Sequence, residues 1–232
     1  MNSSYRPAVL IVAAYLLCTF TIPAAAQHEA GIRLELAAPT GDFGDAVEDP
    51  GFGIIAHYAY AVNSRFSLGL GADYVIYGSE SRTESLPLVR DFEVETSNNI
   101  AGFYLLGQLN LATGGSVIPY LEGRFGGHYL WTESKLKNAE WWDDDDVAET
   151  VNFDDFALQY GAGGGLKFRV SEGDGKDKPS IFVDAKVMLT RGGEAEYLTE
   201  GSITIDGNDT IFRPSESRTD LTRFELGVVL GF

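Results

Sequence analysis

Three groups of residues in this chain have types and spacings that could do chemistry. The first is the histidines, His28, His57 and His128. An imidazole that activates a nucleophile needs a positioned hydroxyl or thiol beside it and a carboxylate to orient it. The second is the run Trp141-Trp142-Asp143-Asp144-Asp145-Asp146. Clustered carboxylates are hard-oxygen ligands for Ca²⁺ or Mg²⁺, but four consecutive acids lack the alternating D-x-D-x-D-G spacing of a calcium loop. The run therefore reads as a solvated acidic loop ahead of a metal site at Asp143, Asp144, Asp145 and Asp146. Its paired tryptophans suit a membrane interface or a surface partner. The third group is a set of charges recurring at every second position. The acids are Glu35, Asp73, Glu122, Asp184 and Glu225; the bases are Arg33, Arg124, Lys167, Arg169, Lys186 and Arg223. Five acids against six bases on one strand face is the pattern of buried ion pairs.

The elements that carry these charges are strands. Apolar residues alternate with polar ones in eight segments of about ten residues. Ile32, Leu34 and Leu36 oppose Arg33 and Glu35. Phe52, Ile54, Ala56, Tyr58 and Tyr60 oppose His57, and Phe66, Leu68, Leu70, Ala72 and Tyr74 oppose Asp73. Phe103, Leu105 and Leu109 oppose Gln108; Leu121, Phe125, Tyr129 and Trp131 oppose Glu122, Arg124 and His128. Leu158, Tyr160, Leu166 and Phe168 oppose Gln159, Lys167 and Arg169. Ile181, Val183 and Val187 oppose Asp184 and Lys186, and Phe224, Leu226, Val228 and Phe232 oppose Arg223 and Glu225. Short links at 62–65, 112–116 and 171–180 alternate with long ones at approximately 39–51, 79–98, 132–155 and 190–218. Tilted strands of this length, joined alternately by short turns and long loops, predict an all-β, eight-stranded antiparallel up-and-down transmembrane β-barrel. Closure pairs every backbone group, as a lipid environment requires.

A soluble ligand-binding barrel also alternates, with its apolar face inward. Two features favour apolar-out. The polar face carries mid-strand charges of both signs, interleaved with glycines that leave room in a narrow lumen. Aromatics such as Tyr58, Phe66, Tyr74, Tyr129, Trp131, Phe168 and Phe232 lie towards the strand ends, where membrane–water interfaces place them.

Ahead of the strands, residues 1–26 read as a secretory signal peptide. Arg6 precedes the apolar run Ala8–Phe20, and Pro23-Ala24-Ala25-Ala26 offers a cleavage site. The run is too short for a spanning helix of about 20 residues. Leu17 before Cys18 argues against a lipoprotein site. Removing the 26-residue leader with its single charge leaves 206 residues, 27–232, with no cysteine and a net charge of −18. Disulfide and thiol chemistry are then excluded, and so acidic a chain is unsuited to nucleic acid.

These features resemble the small eight-stranded outer-membrane barrels of Gram-negative-type bacteria, the OmpA-type transmembrane domain and the opacity and OmpW-like proteins. The leader, the segment Pro39-Thr40-Gly41-Asp42-Phe43-Gly44-Asp45 and the last strand Leu221–Phe232 carry the resemblance. It implies a bacterial outer-membrane location, contact with outer-membrane lipid and lipopolysaccharide, and recognition of the strand ending at Phe232 by the barrel-assembly machinery. With the sequence ending at Phe232, no peptidoglycan-binding domain is expected. Some barrels of this size modify lipid A, and the deacylase type resembles an H-x-S arrangement. Here the tripeptides are His57-Tyr58-Ala59 and His128-Tyr129-Leu130, so a non-enzymatic protein without cofactors is expected.

The long loops hold the acidity. Segments 39–51, 79–98, 132–155 and 190–220 carry −4, −3, −7 and −4, the whole −18 of the chain without its leader. The expected function is a structural or surface-interaction scaffold displaying acidic extracellular loops, which divalent cations could visit. The alternative is a narrow porin-like or small-solute transport protein.

Overall fold

The structure is a computed structural model and describes residues 28–47, 49–84, 92–138, 146–173, 178–199, 202–206 and 209–232. In chain order the elements are β1 (His28–Pro39), α1 (Asp42–Ala46), β2 (Gly51–Ala61), β3 (Phe66–Glu84), β4 (Phe92–Asn110), β5 (Val117–Asn138) and β6 (Asp146–Ser171). They are followed by β7 (Ser180–Gly192), β8 (Glu194–Tyr197), β9 (Ile203–Asp206), β10 (Asp209–Phe212), β11 (Ser215–Arg218) and β12 (Leu221–Gly231). Strands β1 to β7 and β12 form a closed barrel in the order β1-β12-β7-β6-β5-β4-β3-β2. Every neighbouring pair is antiparallel, and β1 closes the ring by pairing with both β2 and β12. At the open ends of those two strands, Phe232 N donates to His28 O at 2.8 Å.

The period of two decides the faces, because successive side chains on a strand point oppositely. Along β1, Ile32 and Leu34 are 60% and 69% exposed, while Arg33 and Glu35 are 1% and 4% exposed. The same split holds around the ring. Leu70, Phe103, Leu105, Phe125, Leu158 and Leu226 stand outward, and the charges are inside. An apolar band of this extent has only one solvent in which it is stable, hydrocarbon. No helix among the described residues is long and apolar enough to cross a membrane; the crossing is made by strands.

The turn at 62–65 forms because Asn63 Oδ1 accepts from the backbone N–H groups of Arg65 and Phe66, each at 2.9 Å. The turn between β4 and β5 uses Gly115 at φ 98°, a left-handed conformation that favours glycine.

The long-loop end departs from the sequence-based expectation of loops at 79–98 and 132–155. Most of the described backbone there is instead strand, extending β3 and β4 to 19 residues each and β5 and β6 to 22 and 26. Beyond the apolar band, nothing requires the outward face to be hydrophobic, so the alternation stops while backbone pairing continues. The register shifts at Tyr77/Ser79 and Thr132/Glu133 lie where the strands leave the band. Segment 190–218 holds two small hairpins, β8–β11 and β9–β10, and segment 39–51 holds α1. The Trp141–Asp145 run lies outside the described residues, as does the side chain of Asp146.

Candidate functional site

The lumen is layered. Nearest the short-turn end, Lys167 Nζ donates to both oxygens of Glu29, at 2.8 and 2.6 Å. Arg169 donates to Glu172 at 3.1 Å and lies over the Phe182 ring, 5.6 Å from its centroid. Glu29, Arg169, Glu172 and Phe182 border a vestibule of about 320 Å³, also lined by Asn63, Ser67, Asn110 and Ser180.

The middle layers are ion pairs between strands far apart in sequence. Arg33 Nε donates to Asp184 at 2.5 Å, and its Nη1 donates to His57 Nδ1 at 2.9 Å. Tyr120 donates its hydroxyl proton to the same Asp184 at 2.7 Å. One step further along, Arg124 donates to Glu122 at 2.7 Å and to Glu225 at 2.9 Å. Lys186 Nζ reaches the same two acids at 2.8 and 3.0 Å. Above these, Arg223 Nη1 lies 3.1 Å from Glu35 and 3.0 Å from Asp73. Each fixed pair offsets a desolvation cost that neither charge could bear alone.

Glycines make the room. A Cβ at Gly31 would meet the His57 ring, one at Gly71 the Tyr104 ring, and one at Gly102 the Asp73 carboxylate. Each bulky lumenal group thus lies against a glycine on the neighbouring strand.

The long-loop end is closed by apolar packing. Phe43 of α1 drops onto the barrel mouth between Tyr77 and Tyr197, with ring centroids at 5.6 and 5.0 Å in edge contacts. Ala37, Val75, Ile100, Leu130, Ala157, Ala195 and Leu221 complete the cluster. Asp220 fastens the cap: its side chain accepts from Gly192 N at 3.0 Å and pairs with Arg191, and its carbonyl accepts from Thr40 N at 3.0 Å. Beneath the cap, His128 Nε2 and Thr219 Oγ1 are 2.7 Å apart, and both residues are fully buried.

Of the charges singled out by sequence, Arg33, Glu35, Asp73, Glu122, Arg124, Lys167, Asp184, Lys186, Arg223 and Glu225 are buried in the lumen. Arg169 is at the rim, its side chain 26% exposed. Glu29, Tyr104 and Tyr120 share the inward parity of their strands, which was the signal that could have found them. The apolar cap was not expected, and no local pattern connects Phe43, Tyr77 and Tyr197. Among the described residues no group of three or more His, Cys, Asp or Glu is placed to hold a metal ion.

Residues 11–232 match the family described as "Outer membrane protein beta-barrel domain". Solved structures similar to this chain include Neisserial surface protein A, at 13% identity, TM-score 0.36, covering 90% of this chain and 96% of that one. Ail, the attachment invasion locus protein of Yersinia pestis, is similar at 14% identity, TM-score 0.41, covering 89% and 97%. A major outer membrane protein from Thermus thermophilus is similar at 12% identity, TM-score 0.43, covering 90% and 100%. No curated protein matches the chain. The chain belongs to the outer membrane protein β-barrel domain family, and its place is the bacterial outer membrane.

Proposed function

We propose that this outer-membrane barrel is a non-enzymatic scaffold that displays acidic loops at the cell surface and offers no open path through its lumen. The observation that carries this reading is the filled interior. Eight strands enclose about as much space as side chains can fill. Here the ion pairs from Arg33–Asp184 up to Arg223–Glu35 occupy that space, beneath the apolar cap of Phe43, Tyr77 and Tyr197. The histidines support the absence of catalysis. His57 is engaged by Arg33, and His128 is sealed under the cap, where no substrate reaches it. The same reading assigns the exposed apolar band to lipid, its long-loop rim to lipopolysaccharide, and the last strand with Phe232 to the assembly machinery.

Planar-bilayer recording tests the reading against its competitor, a narrow porin-like or small-solute transporter. The expected result is no defined conductance from the reconstituted protein. Reproducible single-channel steps that disappear on substitution of Arg124 or Glu122 would establish a lumenal path and overturn the scaffold.

A further inference from the structure

By sequence the lumenal charges are near balance, five acids to six bases, but in space they are not. Lys167 is taken by Glu29 and Arg169 by Glu172, both near the short-turn mouth. That leaves Glu35, Asp73, Glu122, Asp184 and Glu225 against Arg33, Arg124, Lys186 and Arg223, five acids to four bases among the described residues deeper in the barrel. The excess is local. Arg33 neutralises Asp184, and Arg124 with Lys186 neutralises Glu122 and Glu225. Arg223 alone faces two carboxylates, Glu35 and Asp73. Glu35 also lies directly across from Glu225 in the β1–β12 register, where like charges repel.

Buried polar atoms without hydrogen-bond partners gather in this same layer. They include Asp73 Oδ2, the Tyr104 hydroxyl, His128 Nδ1, and Arg223 Nε and Nη2, while Asp73 Oδ1 lies 3.0 Å from Arg223 Nη1. Such atoms are uncommon in folded proteins, and a cluster of them marks bound water or an ion. A net charge enclosed by protein and lipid is strongly disfavoured unless something compensates it.

We propose that the Glu35–Asp73–Arg223 layer binds one further positive charge, either a proton or a small monovalent cation such as Na⁺, between its two carboxylates. Ionisable groups face this site from β1 (Glu35), β3 (Asp73), β4 (Tyr104), β5 (Arg124 and His128), β7 (Lys186) and β12 (Arg223 and Glu225). The site is a property of the barrel interior and does not depend on the scaffold reading.

Two measurements on the intact protein in detergent micelles distinguish the sources. A bound proton gives an infrared band of protonated carboxyl at neutral pH. A bound cation gives a thermal midpoint that drops when NaCl is replaced by N-methylglucamine chloride at equal ionic strength. The parent is expected to show one of these signatures, lost in Asp73→Asn and in Glu35→Gln. It should persist in Glu172→Gln, which removes an acid at the rim, outside this layer. A parent with neither signature overturns the proposal, and that result requires no variant to fold. A signature that persists in both Asp73→Asn and Glu35→Gln, or that vanishes in Glu172→Gln, overturns it as well.

Discussion

Asp184 shows how much a single lumenal residue carries. It accepts from Arg33 at 2.5 Å and from Tyr120 at 2.7 Å, and it is completely buried. Asp184→Asn leaves the Arg33 guanidinium without a counter-charge, a loss of about 3–5 kcal/mol. Tyr120→Phe removes one hydrogen bond to the same carboxylate and costs about 1–3 kcal/mol. Urea unfolding of the protein in lipid vesicles measures both. A smaller loss for Asp184→Asn than for Tyr120→Phe would contradict the pairing. Arg33 and Asp184 were both recognisable as inward residues because parity is local to a strand. Their partnership was not, because they lie 151 positions apart and meet only when the barrel closes.

At the scale of elements, α1 and β8 turn an open barrel end into a closed one. Phe43 is fully buried although it sits on a five-residue helix, so its burial rather than the helix itself holds the segment down. Phe43→Ala should destabilise the cap by about 3–5 kcal/mol. Hydrogen exchange reads this as faster exchange at 40–47 and 193–199 with the strand centres unchanged, since closely packed clusters open as local units. Acceleration spread evenly over the whole barrel would show that the cap is not a separate unit. The cap also has a pH dependence. Burial pushes the Tyr197 phenol above its ordinary value, so the folded cap retains that proton more tightly than the unfolded chain does. Its contribution is complete below the ordinary phenol pKa of about 10 and declines as pH rises through the higher folded value. The fall of unfolding free energy above about pH 10 is therefore expected to be shallower in Tyr197→Phe than in the parent. Equal slopes would remove Tyr197 from the account.

For the whole molecule, the band of outward Leu, Ile, Val and Phe and the paired edges of the ring dictate a protein stable only in a bilayer or its mimic. Such a closed barrel resists detergent until heated. Unboiled protein is expected to migrate differently from boiled protein on a denaturing gel and to sediment with outer membranes. Folded, dispersed protein in buffer without detergent would contradict the apolar-out assignment. The charge has a similar large-scale logic. Segments 39–51, 79–98, 132–155 and 190–220 carry −18 by sequence, so the acidity lies outside the lumenal ion pairs and contributes little to how the barrel holds together.

Sequence alone determined the number of strands in the barrel and which face of each is apolar. These follow from a period of two, a signal contained within any ten residues. It did not reveal where β3 to β6 end, because pairing outlasts hydrophobic alternation once the strands leave the lipid. It did not reveal the cap of Phe43, Tyr77 and Tyr197, whose members come from a short helix and two strands far apart in sequence. The partners of the charges were also decided only in three dimensions. Closure and register set Lys167 beside Glu29 and Arg169 beside Glu172, turning an apparent balance into an excess of one acid around Arg223. Alternation records the side of the wall to which a residue points; the tertiary structure decides what it meets across the lumen, because closing the ring brings distant strands face to face.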